Sequence, residues 1–252
     1  MSKTKSYPLG DNIGYVELIH RHDDPLLSVV NAARVSYNNK KEVTDDADTK
    51  LAKFLMDNKH SSPFRHQHYT FRFKAPMNVM RQAWKHQIGT NWLSAETADG
   101  EPAEIHLDTI QIDDDRGTTW NEVSGRYVIH KCEYYLAKKI RSNAGHANKQ
   151  ASSVAGVTPE EEAAALIHMQ KSTSAAIQNY KKALELGIAK EQARDLLPFN
   201  IYTSAVWTPS LQAVLNFLSL RLKDDAQFEI RQYAVAIKEL IQPDLDALGV
   251  TL

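Results

Sequence analysis

Hydrophobic and polar positions alternate along two stretches of the chain. One runs from Gly14 to His20 (Gly-Tyr-Val-Glu-Leu-Ile-His). The other runs from His66 to Lys74, where Tyr69, Phe71 and Phe73 share one strand face and Thr70, Arg72 and Lys74 the other. Both predict strands. Between them, Pro25 to Tyr37 and Asp45 to Lys59 space their apolar residues at the helical period, with Leu51, Phe54 and Leu55 on one stripe and Thr44 as N-cap. From Pro76 to Ile88 the positions Val79, Met80, Ala83, Trp84 and Ile88 predict a further helix, stopped by Gly89. The second half is strongly helical. Thr158, Pro159 and Glu161 form a capping box, and Gly187 ends that helix near Leu186. A short helix from Lys190 stops before Pro198. Thr208-Pro209 opens another carrying Leu211, Leu215, Leu218 and Leu222, and Gln227 to Ile241 forms a last amphipathic helix. Without repeats or linkers, the pattern predicts one α+β domain over residues 1–252, a small antiparallel or mixed sheet packed with several long helices.

Residues 91–119 depart from this pattern. They carry eight Asp or Glu against the basic residue Arg116, with Gly100, Pro102 and Gly117 as breakers, and read as an acidic insertion. The whole chain has a formal net charge of -1, so it lacks the basic excess of a nucleic-acid binder and any anion site must be local. No apolar run approaches the roughly 20 residues of a membrane span, and no signal peptide is legible, so a cytoplasmic protein is expected. The lone cysteine, Cys132, excludes an intrachain disulfide and a Cys-rich zinc site. It is expected within a helix, with no His beside it to lower its pKa, which argues against thiolate catalysis.

Several polar clusters interrupt the apolar pattern. Gln82, Lys85 and His86 stand at spacings of three and four at a helix end, which suits either a solvated face or a binding edge. Asn121-Glu122-Val123-Ser124-Gly125-Arg126-Tyr127 packs a carboxylate, a hydroxyl, a glycine and a guanidinium into seven residues. That density suits an oxygen-rich ligand, because Arg grips phosphate bidentately and Gly admits backbone N–H groups, but a polar turn with a Glu–Arg pair has the same composition. Arg194, before Leu-Leu-Pro, and Arg221, after the apolar run Leu215 to Leu220, need partners, either a structural carboxylate or a ligand. His66 and His68 share a strand face without an evident third metal ligand, so no metal is expected.

Taken together these strings resemble the flavin-dependent thymidylate synthases (ThyX), whose signature is Arg-His-Arg, a spacer, Ser, one residue and Asn-Glu-x-Ser-x-Arg-Tyr. The second half is complete at Asn121 to Tyr127, and the likeness extends to Ala32–Tyr37, His60–His66, Lys149-Gln150, Gly187–Pro198 and Asn216–Ile230, in the family's order. The resemblance implies a homotetramer that methylates dUMP to dTMP, with 5,10-methylenetetrahydrofolate as carbon donor and FAD, reduced by NADPH, as hydride donor. It implies dUMP contacts from Gln82, Lys85, Glu122, Ser124, Gly125, Arg126 and Arg194. Arg221 is expected to stabilise negative charge near N3 of the uracil, making C5 nucleophilic. It implies FAD contacts from Ser62, Lys85, His86, Gln87, Glu122, Ser210, Gln212 and Asn216, with His60 at the border of flavin and folate. The chain departs from the pattern in three ways. Lys85 and Gln87 replace the two signature arginines, the acidic insertion splits the signature, and Arg65, Ser210 and Gln212 stand where Glu, Asn and Arg are usual. Arg65 is expected to restore positive charge near the flavin. A related enzyme with another pyrimidine nucleotide or a hydroxymethyl product, and a catalytically silent nucleotide-binding homologue, are the alternatives.

Overall fold

The computed structural model describes residues 4–86, 119–143, 152–153 and 156–252. Gln87, Ile88, Gly89, Lys149, Gln150 and the acidic stretch up to residue 118 lie outside them. In chain order the elements are β1 (Lys5–Ser6), β2 (Tyr15–Arg21), α1 (Pro25–Arg34), α2 (Asp46–Asp57), β3 (Tyr69–Pro76) and α3 (Met77–Ala83). They continue as β4 (Trp120–Glu122), β5 (Ser142–Asn143), β6 (Ser152–Ser153), α4 (Pro159–Glu185), α5 (Lys190–Ala193), β7 (Tyr202–Trp207), α6 (Leu211–Arg221), α7 (Phe228–Leu240) and α8 (Gln242–Ala247).

The alternation of β2 and β3 yields the centre of a five-stranded antiparallel sheet, ordered β1-β2-β3-β7-β4, while β5 and β6 pair separately. As expected, Tyr69, Phe71 and Phe73 all face the core, each at most 1% exposed. Opposite them, Phe71 is in register with Trp207 and Phe73 with Ala205, and Trp120 stacks on Trp207 with ring centroids 4.9 Å apart. α6 and α7 cover this face through Phe217, Ile230, Tyr233 and Ile237, all buried. β7 escaped the sequence pattern because its residue types do not follow its faces: Thr203, Ala205 and Trp207 are buried while Ser204 and Val206 are half-buried, so a polar residue sits on the inner face and an apolar one on the outer.

Several boundaries differ from the pattern's expectation. Asp45, not Thr44, caps α2, in a reciprocal box with Asp48. His66, Gln67 and His68 all precede β3, which begins at Tyr69, so the two imidazoles do not share a strand face. α3 ends at Ala83, leaving Lys85 and His86 beyond it. Cys132 lies in irregular backbone at φ +58°, not in a helix. The helix at 227–241 is not the last: Gln242-Pro243 starts α8, with proline in its first turn. The capping box at Thr158 and the left-handed Gly187 (φ +80°) are as expected.

β3 runs into α3 without a loop, and the orphan amides of the helix's first turn are met from the segment before β7: Met77 N–H donates to the Ile201 carbonyl at 2.9 Å and Asn78 N–H to that of Phe199 at 3.0 Å. α3 is thereby pinned between the sheet and the 199–201 segment, where the site is built.

Candidate active site

A cavity of about 470 Å³ opens beside α3. Met77, Arg81 and Trp84 line it from the helix, Glu122 and Gly125 from the end of β4 and the turn after it, His130 from the following segment, and Arg194, Leu197, Pro198 and Phe199 from the far wall. Spacings of four and three put Met77, Arg81 and Trp84 on one helical stripe. Arg81 lies over the Phe199 ring, 4.9 Å from its centroid. The cavity thus offers two guanidinium groups and an apolar wall, a combination suited to an anion carrying a flat ring.

Glu122 anchors the inner side. Its Oε1 accepts from the Thr203 hydroxyl at 2.6 Å. Loss of water around its carboxyl raises its pKa, an effect that the Thr203 bond and the charges of Arg194 and Arg81 counter without cancelling. The turn that follows is closed by Tyr127 N–H and Val128 N–H, both donating to the Ser124 carbonyl, and by Arg126 N–H donating to Ser124 Oγ at 3.2 Å. Gly125 is buried in it. A Cβ at this position would stand 2.6 Å from His130 Nε2 and 3.2 Å from Arg194 Cδ, so glycine is what allows these two side chains to close on the turn. Burial first, and the Arg194 charge second, lower the pKa of His130, keeping its ring neutral. Arg126 projects outward, exposed, in a loose pair with Glu191 at 3.8 Å.

A second cluster forms just beyond the end of α3. Arg221, at the end of α6, donates from Nε to His86 Nε2 at 2.8 Å. His86 is 6% exposed and its ring meets the Phe217 ring edge-on, with centroids 5.0 Å apart. Burial, helped by the Arg221 charge, lowers its pKa to about 4, so the neutral ring can accept this bond. With Nε tethered, the terminal nitrogens of Arg221 meet no other acceptor among the described residues and could face a ligand. Four residues before His86, on α3, Gln82 donates to Gln227 Oε1 at 2.5 Å. Lys85 is exposed beside it.

A third feature runs along α6. A largely apolar hollow of about 540 Å³ is lined by Leu55, Phe64 and Leu215, with Lys59, Gln212 and Asn216 as polar members. Ser62 lies in the adjoining 3-10 turn Ser62–Arg65, and His60 is exposed against the Phe54 ring. Arg65 Nε donates to Gln212 Oε1 at 2.6 Å, bringing a guanidinium to this rim. An apolar wall with amides and cations at its edge fits part of a flavin dinucleotide. Ser210 does not present itself there: it is 1% exposed and its hydroxyl accepts from Ala213 N–H as the N-cap of α6.

The expected site residues thus fall into distinct groups. Glu122, Gly125 and Arg194 share the first cavity with Ser124 and Arg126 at its turn, Gln82, His86 and Arg221 gather in the second cluster, and Gln212 and Asn216 line the third feature. Arg221 does not line the cavity that Arg194 lines. The sequence reading missed Arg81 and His130. Arg81 was legible from its spacing to Met77 and Trp84, whereas His130 carries no local signal. Among the described residues no group of three His, Cys, Asp or Glu side chains is placed to hold a metal ion, and no helix is long and apolar enough to cross a membrane.

Residues 17–245 match the family model described as thymidylate synthase complementing protein. A flavin-dependent thymidylate synthase of Thermosipho melanesiensis is 35% identical over 229 residues, covering 91% of this chain and 86% of that protein. One of Thermus thermophilus is 38% identical over 230 residues, covering 91% and 72%. Among solved structures, a UMP/dUMP methylase, PolB from Streptomyces cacaoi, bound with 5-Br dUMP, superposes with a TM-score of 0.70 at 23% identity, covering 94% of this chain and 96% of that one, a likeness of fold. By the family model and by these relatives, the chain belongs to the flavin-dependent thymidylate synthases.

Proposed function

We propose that this protein converts dUMP to dTMP, taking a methylene group from 5,10-methylenetetrahydrofolate and a hydride from FAD that NADPH has reduced, and that it works as a cytoplasmic homotetramer of single-domain chains. The observation that carries the reading is the cavity in which Glu122, Gly125 and Arg194 converge with Arg81 on a half-apolar wall. Arg194, with Ser124 from the turn, would take the phosphate, the outward-facing Arg126 would reach a phosphate held with a neighbouring copy, and the neutral His130 ring would keep the Arg194 stem in place. Arg221, its Nε held by His86, would direct its terminal N–H groups at the uracil edge and stabilise negative charge around N3 as C5 attacks. No thiolate takes part, in keeping with Cys132, whose pKa burial raises.

Gln212, Asn216 and Ser62, with Arg65 and His60 nearby, would hold the flavin, whose chemistry when bound is to supply the hydride that completes the methyl group. Because Arg221 and Arg194 lie in separate clusters of one chain, a nucleotide touching both would bridge two subunits. A flavin-loaded, active monomer in a sizing experiment would refute the tetramer. Family membership favours this activity over a hydroxymethylating enzyme or a silent homologue. Release of label from C5 of dUMP, assayed with FAD, NADPH and methylenetetrahydrofolate, tests it, and the product mass separates thymidylate from a hydroxymethyl nucleotide.

A further inference from the structure

Glu229 is 2% exposed in the first turn of α7. Arg141 donates to its two carboxylate oxygens at 2.7 and 2.9 Å, Tyr135 Oη donates at 3.2 Å and Gln227 Nε2 at 2.8 Å. Burial pushes the carboxyl up, but the Arg141 and Gln227 bonds outweigh it and leave the pKa below the usual value, so the group is ionised. An ionised carboxylate only accepts hydrogen bonds, so the nitrogen end of the Gln227 amide must face it. The oxygen end then faces Gln82, whose Nε2 donates to it at 2.5 Å. The same Gln82 nitrogen donates to the Asn78 carbonyl at 3.4 Å. Two acceptors therefore meet one end of the Gln82 amide, and neither tolerates a flip. Gln82 Oε1 is the end left over, and no donor among the described residues meets it.

We propose that Glu229, acting through Gln227, is a positioning residue that locks the Gln82 amide with its oxygen towards the nucleotide, so that the site selects a ligand group that donates a hydrogen bond. This rests on the reading above that Gln82 touches the pyrimidine nucleotide. A freely turning amide would serve donors and acceptors alike. A locked one leaves its oxygen unpaired when the ligand lacks the donor, and that mismatch is the source of selectivity. In dUMP the donor is either the imide N–H or the sugar hydroxyl.

The test is calorimetric binding of dUMP, N3-methyl-dUMP and 2′,3′-dideoxyUMP to the flavin-loaded protein and to its Glu229→Gln, Gln227→Leu and Gln82→Ala variants. The unaltered protein is expected to prefer dUMP over one analogue by roughly 10- to 100-fold, and the rejected analogue identifies the donor. Glu229→Gln and Gln227→Leu are expected to erase most of that preference. Gln227→Leu leaves the Glu229–Arg141 pair intact and decides the matter if Glu229→Gln does not fold. Preferences unchanged in the relay variants while Gln82→Ala binds dUMP weakly, or no preference in the unaltered protein, overturn the proposal. Full dUMP affinity in Gln82→Ala overturns instead the reading that Gln82 touches the nucleotide.

Discussion

Replacing Gly125 by Ala adds one methyl group where the structure has no room for it. The new carbon would lie 2.6 Å from His130 Nε2 and 3.2 Å from Arg194 Cδ, while ordinary contact begins at 3.4 Å, so the imidazole must retreat by about 0.8 Å. The ring cannot take its backbone along easily, because His130 N–H donates at 3.1 Å to the hydroxyl of the fully buried Tyr180. It must instead rotate, and the Arg194 stem must swing outward. Overpacking of this kind costs about 1–3 kcal/mol, a melting shift of a few degrees in a chain of this size. Nucleotide affinity should suffer more, because displacing a guanidinium from its anion forfeits a charge-assisted bond worth about 1.5–3 kcal/mol, roughly a 10- to 150-fold loss. Calorimetric titration with dUMP, paired with a thermal melt, separates the two effects. In a His130→Ala background the obstructing ring is absent, so adding Gly125→Ala should cost less affinity than it does in the unaltered protein. Unchanged dUMP affinity in Gly125→Ala, or an equal penalty in both backgrounds, would refute the packing argument.

Arg221→Ala should lower C5 label release by at least about 10²-fold with the melting temperature little changed, and Arg221→Lys should not rescue it, since lysine lacks the fork that binds His86 and a ligand at once. The ordinary pKa of His86, 6.5, governs the unfolded chain and a value of about 4 the folded one, so the stability that its neutral ring confers is full above pH 6.5 and drains as pH falls towards 4, on the order of 3 kcal/mol in all. Urea melts at pH 7 and pH 4.5 check this, with His86→Gln expected to lose less than the unaltered protein. Ser210→Ala removes the α6 cap and should cost about 1 kcal/mol in a urea melt. Cys132→Ala should retain label release, and loss of activity in a variant that still folds would reopen the thiolate route.

Legibility in the sequence followed physical range. Caps and periodic faces, such as Thr158 with Glu161 and the Tyr69, Phe71, Phe73 stripe, depend on residues a few positions apart and could be read directly. β7 could not, because Thr203 on its buried face and Val206 on the other break the alternation of residue types that marks a strand. Lys85 and His86 were extrapolated onto α3 from an apolar pattern that the helix abandons at Ala83. The pairing of Arg65 with Gln212 joins positions 147 apart in the chain, and the Arg221–His86 bond joins positions 135 apart. Local spacing carries no trace of either. Family likeness supplied the expected site residues, but neither Arg81 and His130 nor the relay from Glu229 to Gln82, which exists only in the packing of α7 against α3.

α3 explains why the expected residues separate into clusters. Consecutive residues of a helix point about 100° apart, so Arg81 and Gln82, neighbours in sequence, serve different sides of it. Arg81 looks into the cavity with Glu122 and Arg194, whereas Gln82 meets Gln227 in the region where Arg221 is tethered. Under the proposed function the phosphate-gripping groups and the uracil-facing guanidinium must act on one small molecule. The cavity of one copy placed against the Arg221 cluster of another satisfies both, and a two-fold pairing that does this once does it twice, giving two composite sites for each pair of chains. Phe199 and Phe228, which flank these clusters, are 56% and 39% exposed in the isolated chain, a cost in apolar surface that such a pairing would relieve. Under that reading, short α3 would distribute the nucleotide-binding groups so that neither half works without its neighbour.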